Sequence, residues 1–273
     1  MSTQTLLHER LVATSFEDGI LTVTLNEPTS GNSLTVAMTE ALSDELEAIN
    51  QRHDVRCVLL RSSSARHFCT GGNVKDMESG SDLMDGSVAD VRERLHRSLH
   101  RITRALNAME IPTVCAVNGT AVGAGFDLTL MCDIRIAGQS ATFAESFLRL
   151  GLVSGIGGAW FLTRVVGPAK ALELSLTSEF IDADEACRLG IVSKVVPSDR
   201  LDAEALKIAK RISAHPPGAT RMAKKLVRQS AEAPLPTALE MAASMQAILL
   251  CGEEHRKTVT RFNELKAAAK QTR

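Results

Sequence analysis

The sequence predicts an α/β fold followed by a helical C-terminal region. Short apolar runs rich in β-branched residues alternate with segments of helical periodicity up to about Pro197. From Leu201 onward every segment has a helical pattern, with prolines between the segments. The chain has 273 residues, 44% of them apolar, which suffices for one large domain or for one domain with an appendage. We therefore expect an α/β core over residues 1–197 and a helical region over residues 198–273.

The N-terminal part predicts a hairpin, a capped helix and a further strand. Residues 11–16 and 20–25 are apolar-rich runs separated by a short polar turn, which is typical of a β-hairpin. Thr35 is the expected N-cap of a helix that runs to about Gln51, because apolar residues follow it at helical spacing. Residues 55–61, with CVLL at their centre, predict the next strand.

The segment that follows is first polar and then helical. Residues 62–72 form a loop of small and polar residues, and residues 74–77 start a short helical turn. Residues 79–85, SGSDLMD, predict a mobile loop. Apolar residues at helical spacing predict one long charged helix over residues 88–109.

The central stretch, residues 111–133, combines a strand, a break and a glycine-rich helix start. A β-branched apolar run ends at Val117, and a helix is expected to open at Gly123, Ala124 and Gly125. Free N–H groups at a helix start attract an oxygen that carries negative charge. Asp127 follows one turn later, so donors and a carboxylate able to form and reprotonate an enolate come together. On this stretch alone, glycines that only permit tight packing are an equally good interpretation.

The rest of the core alternates short strands with helices. Strands are expected at residues 134–137, 141–144 and 191–196, with a glycine-rich segment at residues 149–158. A helix over residues 160–166 is expected to end at Gly167, after which Pro168 opens another, and Asp182 is the expected N-cap of a helix over residues 183–189.

Composition excludes several functional classes. A net charge of −1, the absence of Tyr and a single Trp argue against nucleic-acid binding. The first ten residues lack the basic flank and long apolar core of a secretory signal, and no uninterrupted apolar run is long enough to span a bilayer. We therefore expect a cytoplasmic protein without membrane partners. The six cysteines are scattered, so reduced core thiols are expected rather than disulfides or a zinc site.

Other catalytic and metal-binding motifs fit poorly. The glycines of the central stretch are wrongly spaced for a dinucleotide fingerprint, and Asp133 comes too early for its ribose-binding acid. No P-loop and no G-x-S-x-G motif is present. His96 and His100 lie four residues apart, but HRSLH lacks the glutamate of a zinc-binding H-E-x-x-H motif. A solvated helix face is the better interpretation of this pair, and we expect no metal site.

Several separated motifs, in the right order, resemble the crotonase superfamily, also called the enoyl-CoA hydratase/isomerase family. They are NEPTSGNSL, FCTGGNVKDM, AVNGTAVGAGFDLTLMCDIRIAG, ATFAESFLRLGLVSGIGGAWFLTRVVGPAKALEL and IDADEACRLGIVSKVVP. The resemblance covers nearly the whole chain. It implies a crotonase-like spiral of ββα units, acyl-CoA thioesters as ligands and a homotrimer or a dimer of trimers. It implies no cofactor besides the coenzyme A that belongs to the substrate.

The resemblance also implies roles for individual residues. The two backbone donors to the thioester oxygen fall on Gly72 and Ala124, and the first family carboxylate, usually Glu, falls on Asp127. The positions near the CoA moiety are Ser30, Gly31, Thr70 and Lys75. Lys75 suits a phosphate as a point charge, although a solvated lysine is an equally good interpretation.

The sequence departs from the family pattern at two acidic positions. The second glutamate of the hydratases falls on Phe147, and an acid used by some enoyl-CoA isomerases falls on Gly155. Glu145 is an alternative second acid, but a structural or surface role is the favoured interpretation of this residue. Phe147 and Trp160 are candidates for an apolar acyl pocket, and core packing explains both residues equally well.

One remaining acid suffices for a double-bond shift, because a single group can remove and return a proton. Hydration normally needs an acid and a base that act together, so the sequence favours isomerisation. The alternatives are a hydratase with another acid, an acyl-CoA-binding subunit with weak or no catalysis, and a hydrolase of the same superfamily. In the C-terminal region, residues 235–250 are more apolar than a lone surface helix needs. We expect this helix to pack between subunits or against the core.

Overall fold

The computed structural model describes residues 10–79 and 85–271, which form two β-sheets surrounded by helices. One sheet has six strands in the order β1-β2-β3-β5-β7-β10, and the other has four in the order β4-β6-β8-β9. The strands are β1 (Val12–Glu17), β2 (Ile20–Leu25), β3 (Cys57–Ser62), β4 (His67–Cys69), β5 (Thr113–Val117), β6 (Thr120–Val122), β7 (Ile134–Gly138), β8 (Thr142–Ala144), β9 (Ile181–Asp182) and β10 (Lys194–Val196).

Eleven α-helices lie within the described residues. They are α1 (Val36–Asn50), α2 (Val74–Ser79), α3 (Val88–Arg97), α4 (Leu99–Ala108), α5 (Ala124–Leu130), α6 (Gly158–Thr177), α7 (Ala183–Arg188), α8 (Leu201–Ser213), α9 (Pro217–Ser230), α10 (Leu235–Cys251) and α11 (Glu253–Gln271).

The chain winds as a spiral between the two sheets. The pairs β3–β4, β5–β6 and β7–β8 each place one strand in the six-stranded sheet and the next in the four-stranded sheet, before the chain continues into helical segments. Successive turns stack in parallel, so that β3 pairs with β5, β5 with β7, β4 with β6, and β6 with β8. This is the predicted spiral of ββα units.

Buried side chains fill both sides of the six-stranded sheet. Every residue of β5 is buried, as expected for a central parallel strand covered on both faces. The larger apolar cluster lies where the sheets meet α1, α4, α5 and α6, and a smaller cluster lies where α8 covers the opposite face. The helix α8 therefore packs on the core. The division into an α/β core over residues 1–197 and a helical region over residues 198–273 stays a prediction.

Several local predictions are confirmed. The hairpin pairs Val12 with Leu25 and Glu17 with Ile20, and the Thr35 side chain caps α1 by accepting a hydrogen bond from Met38 N. Gly167 has a positive φ of 77° and interrupts α6 immediately before Pro168.

Three predictions about elements are wrong, and one lies partly outside the described residues. The expected helix over residues 88–109 is two helices, because Ser98 leaves helical geometry and its hydroxyl donates to the Arg94 carbonyl at 2.6 Å. The expected loop over residues 62–72 contains β4, and the central stretch contains a further strand, β6. Both strands are only three residues long, which is too short for a clear sequence pattern. Of the expected mobile loop at residues 79–85, residues 80–84 lie outside the described part of the chain.

All six cysteines are free thiols. Cys57, Cys69, Cys115 and Cys132 are buried, Cys187 is half-buried and Cys251 is exposed. Burial raises the pKa of the Cys69 thiol to about 12, so this group stays protonated and behaves as a core residue. The four buried thiols are core residues, as expected, whereas Cys251 is not.

The last three helices lie outside the core. α9 and α10 contribute no residue to the apolar core, and apolar side chains of α10 and α11 are exposed, among them Leu239, Ile248 and Phe262. The alternative prediction, that α10 is buried against the core of its own chain, is therefore wrong. Within the described residues no single helix has the length and hydropathy to span a bilayer, although α10 and α11 pass that test as a pair bent by 68°.

A buried ion cluster attaches α9 to the core. Asp133, which follows α5, accepts ion-pair contacts from Lys224 and Arg228 at 2.7 Å each. The same carboxylate accepts hydrogen bonds from the amide and hydroxyl of Thr113, at 2.8 and 2.9 Å. Burial lowers the pKa of Lys224, whose side chain is 7% exposed, so its charge depends on this partner.

We expect Asp133→Asn to destabilise the protein, because it leaves the buried Lys224 and the Arg228 guanidinium without an anion. Breaking a buried pair in this way costs about 3–5 kcal/mol of unfolding free energy. Urea unfolding measures the loss, with the exposed Asp199→Asn as the matched control. A loss within about 0.5 kcal/mol of that control, the range of ordinary surface substitutions, would contradict a stabilising role for the cluster.

Candidate active site

Asp127 lies in a helix that is buried along its whole length. All seven residues of α5 are buried, and Asp127 itself has no exposed surface. The helix begins after Gly123, which takes φ 52° and ψ −126°, a backbone conformation that L side chains rarely adopt. The sharp turn from β6 into α5 thus depends on glycine and brings a carboxylate into the centre of the molecule.

The two predicted backbone donors lie on adjacent segments. A Cβ added at Gly71 would lie 3.2 Å from Ala124 N, so the segment that carries Gly72 runs beside the start of α5. Among the described residues, neither the Gly72 amide nor the Ala124 amide has a hydrogen-bond acceptor. Unpaired amides next to each other are the arrangement that holds an oxygen carrying negative charge.

Asp127 is surrounded by hydrogen-bond donors that come from later in the chain. Ser154 Oγ donates to Asp127 Oδ2 at 2.7 Å and accepts from the Gly158 amide at 2.8 Å. The Gly158 amide also acts on the Asp127 carboxylate. A Cβ at position 158 would overlap that carboxyl group, so only glycine allows α6 to begin this close.

Glu145 is the second acid at this site. It follows β8, is only 4% exposed, and acts directly on the Asp127 carboxyl group. Of the two favoured interpretations of Glu145, a structural or a surface acid, the surface one is therefore wrong. Asp127 Oδ1 and Glu145 Oε1 are both buried, and neither has a hydrogen-bond partner among the described residues as long as both groups are ionised.

Burial dominates the acid–base properties of the two carboxyl groups. It raises the pKa of Asp127 to about 6, against the opposing effect of hydrogen bonds from Glu145, Ser154 and Gly158. Burial, and then the negative charge of Asp127, raises the pKa of Glu145 to about 10. At neutral pH the pair therefore holds one proton, with Asp127 mainly ionised.

Helix α4 holds the loop that carries Ser154. His100 Nε2 contacts the Gly155 carbonyl at 2.8 Å, and Thr103 Oγ1 donates to the Ile156 carbonyl at 2.7 Å. His100 Nδ1 lies 3.0 Å from His96 Nδ1, and both rings are half-buried. The interpretation of the two histidines as a solvated helix face is therefore wrong. The described residues contain no group of three or more His, Cys, Asp or Glu placed to hold a metal ion.

Three of the four predicted CoA-binding residues lie together. Thr70 N donates to the Gly31 carbonyl at 3.0 Å, and Thr70 Oγ1 donates to the Ser30 carbonyl at 3.2 Å. Lys75 is exposed on α2, three residues after the predicted donor Gly72. Their contact with CoA stays a prediction.

The two residues expected at an acyl pocket lie in different environments. Phe147 is half-buried, packs against the main core and would contact a Cβ at Gly123 at 3.7 Å, so its ring lies near the start of α5. Trp160 is 44% exposed and lies under the guanidinium of Arg164, 3.5 Å from the ring centroid. Phe147 thus lies beside the candidate site, and the pocket role of both residues stays a prediction.

Sequence reasoning missed Ser154, Gly158 and His100 as parts of the site. Ser154 and Gly158 lie in the glycine-rich segment GLVSGIGG, where a lone serine beside the position of a family acid was the available signal. The contact of His100 with this segment joins residues 55 positions apart, and no local pattern reveals it.

Known proteins resemble this chain in sequence and in fold. The sequence profile of the family described as "Enoyl-CoA hydratase/isomerase" matches residues 15–271. The chain is 36% identical over 262 residues to a probable enoyl-CoA hydratase of Rhizobium meliloti, covering 96% of each chain. It is 31% identical to the 1,2-epoxyphenylacetyl-CoA isomerase of Escherichia coli, covering 90% of this chain and 92% of that protein. A crystal structure of an enoyl-CoA hydratase/isomerase from Mycobacterium abscessus, described as putative, superposes with a TM-score of 0.87 at 31% identity, covering 93% of this chain and 96% of that one.

We expect Gly158→Ala to displace the Asp127 carboxylate, because the added methyl group overlaps it. The predicted result is a lower melting temperature together with loss of any turnover that depends on Asp127. The matched control is Gly155→Ala in the same loop, where a Cβ meets no heavy atom within 4 Å. Equal melting temperatures and rates for the two variants would contradict the close approach of α6 to Asp127.

Proposed function

Because the chain belongs to the enoyl-CoA hydratase/isomerase family, we propose that it moves a proton at the double bond of an unsaturated acyl-CoA. The observation that carries this proposal is the buried Asp127 carboxyl group in α5, three residues after the Ala124 amide, which has no acceptor among the described residues. Its pKa of about 6 leaves this group mainly ionised at neutral pH. A base and an oxyanion site on one short helix are the two parts that enolate chemistry requires.

The favoured reaction is a shift of the double bond from carbon 3 to carbon 2. Asp127 takes a proton from the carbon next to the thioester carbonyl, and the electron pair moves onto the thioester oxygen. The amides of Gly72 and Ala124 hold that oxygen, and losing one such donor typically costs about 3 kcal/mol of barrier. Asp127 then returns the proton at carbon 4, which leaves the double bond between carbons 2 and 3.

Two features favour isomerisation over addition of water. The residue at the position of the second family glutamate is Phe147, an apolar ring packed near the start of α5 that cannot transfer a proton. The other nearby acid, Glu145, keeps its proton at neutral pH, so Asp127 is the one carboxylate ready to accept a proton from carbon. A pKa near 6 leaves Asp127 basic and mostly ionised at neutral pH.

Hydration is the second candidate, and a specific observation supports it. Glu145 lies against Asp127, so the site contains the two carboxyl groups that acid and base catalysis of water addition would need. The similarity to both a probable hydratase and an isomerase is compatible with either reaction.

The CoA part of the substrate is proposed to lie along Ser30, Gly31 and Thr70, with Lys75 near its phosphates. The contacts among the first three residues support a shared surface, and the exposed ammonium group of Lys75 suits a phosphate. The reaction needs no other cofactor, since the thioester itself stabilises the carbanion.

The protein is proposed to assemble as a homotrimer or a dimer of trimers. The exposed apolar side chains of α10 and α11 support this proposal, because such surfaces on helices usually meet another chain.

We expect Asp127→Asn to keep the fold and CoA binding but to lower turnover by about 10²-fold or more, the scale for losing a positioned acid–base group. The assay is run in heavy water with a 3-enoyl-CoA and, separately, with its 2-enoyl isomer. Interconversion without a 3-hydroxyacyl product supports isomerisation. The matched control is Asp184→Asn, on the exposed surface of α7.

Rapid formation of 3-hydroxyacyl-CoA by the unmodified protein would instead establish hydration. An Asp127→Asn variant as active as the control would contradict Asp127 as the base. If the unmodified protein turns over neither isomer but still binds CoA, the result would favour an acyl-CoA-binding role over an enzymatic one.

We expect sedimentation at micromolar concentration to show an oligomer based on trimers. Leu239→Lys combined with Ile248→Lys places two charges on the exposed apolar face of α10 and should shift the distribution toward monomer. Val88→Lys, an exposed apolar position on α3, is the control. A stable monomer of the unmodified chain would refute the assembly.

A further inference from the structure

We propose that Glu145 is a positioning residue that stays protonated at neutral pH and donates its proton in a hydrogen bond to the Asp127 carboxylate. The proposal deepens the proposed function, since it rests on Asp127 as the base that acts on the substrate. It assigns a role to a buried acid that the reaction steps do not use.

Burial and two unsatisfied oxygens point to a proton between the two carboxyl groups. Both side chains are buried, each has one oxygen without a hydrogen-bond partner, and two ionised carboxylates would bring no hydrogen to satisfy those oxygens. One proton gives a donor to the pair, in which Asp127 Oδ1 and Glu145 Oε1 lack any other described partner. Two negative charges in contact inside the protein would also repel each other strongly.

The surroundings decide which residue keeps the proton. Ser154 donates to the Asp127 carboxylate, the Gly158 amide donates to Ser154 Oγ, and both groups stabilise the charged form of Asp127. Among the described residues, Asp127 is the sole hydrogen-bond partner and the sole charged neighbour that acts on the Glu145 side chain. The negative charge therefore stays on Asp127 and the proton stays on Glu145.

No cation offsets this arrangement among the residues that the structure describes. The groups that shift the pKa of Asp127 include no lysine, arginine or histidine. His100 of α4, which holds the loop that carries Ser154, contacts the Gly155 carbonyl and His96 rather than either carboxyl group. Protonation of the pair thus depends on burial, on the two acids themselves and on Ser154 and Gly158.

The proposed role has a consequence for the reaction. The hydrogen bond from Glu145 lowers the pKa of Asp127 and opposes the effect of burial, so it keeps Asp127 ionised at neutral pH. It also fixes the orientation of the carboxylate that faces the substrate. Removing the donor should leave Asp127 protonated, and therefore inactive, over a wider pH range.

The first test compares Glu145→Gln, which keeps a neutral donor, with Glu145→Leu, which keeps the approximate volume without a donor. The pH dependence of kcat/KM should show an acid limb near pH 6 in the unmodified protein and in Glu145→Gln. In Glu145→Leu this limb should move up by about one unit, the effect of losing one hydrogen bond to the charged form. If Glu145 only fills space, the acid limb of kcat/KM should lie at the same pH in both variants. That result would overturn the positioning role.

The second test locates the proton without an activity assay. The folded protein keeps the Glu145 proton up to about pH 10, whereas the unfolded chain releases it near the ordinary glutamate value. Stability should therefore fall as pH rises, by up to about tenfold in the folded-to-unfolded ratio per pH unit between those two pKa values. Glu145→Gln should remove this loss, and the exposed Glu179→Gln should retain it.

Thermal unfolding from pH 6 to 9 should accordingly show Glu145→Gln gaining stability relative to the unmodified protein as pH rises. Infrared spectra at about pH 7.5, which lies above the Asp127 pKa of about 6, should contain a protonated carboxyl band that Glu145→Gln lacks. Parallel unfolding curves, or no such band, would overturn the proposal. If both signatures appear while no acyl-CoA is turned over, the shared proton stands and the proposed function fails.

Discussion

The burial of the Asp127 carboxylate is the constraint on which the rest of the site depends. An isolated ionised carboxylate in a protein interior costs several kcal/mol, and burial alone would keep it protonated. The structure offsets this cost with donors from Ser154, Gly158 and Glu145. Because the donors oppose burial incompletely, the pKa of Asp127 remains near 6, and the group stays basic although it has no exposed surface.

The spiral fold explains how donors distant in sequence reach one carboxylate. Each turn delivers a strand end to the four-stranded sheet, so that the start of α5 after β6 and Glu145 after β8 come from neighbouring parallel strands. The loop before α6 comes next along the chain, and His100 and Thr103 of α4 hold it in place through hydrogen-bond contacts. The close approach of α6 requires glycine at position 158. Catalytic geometry is thus a product of the stacking of turns rather than of any single motif.

The parts that sequence alone could predict are those governed by neighbouring residues. The hairpin, the Thr35 cap and the break at Gly167 follow from turn and capping chemistry within a few residues. The partners of Asp127 could not be predicted in this way, since the hydrogen bond from Ser154 spans 27 residues. The burial of Glu145 likewise depends on packing between strands, and the break at Ser98 depends on one side-chain hydrogen bond to the preceding turn.

The short segment after β8 carries both Glu145, the second acid beside Asp127, and Phe147, the position at which we predict that the second family glutamate is absent. Glu145 points its carboxyl group at Asp127, while Phe147, two residues later, packs near Gly123 at the start of α5. Under the proposed function, an apolar ring at this position takes the place of a group that would activate water. A neutral acid behind Asp127 instead tunes the remaining base. A site with one ionised carboxylate and one buried, protonated carboxyl group is suited to moving a proton between two carbons of one substrate. That is the reaction that we propose.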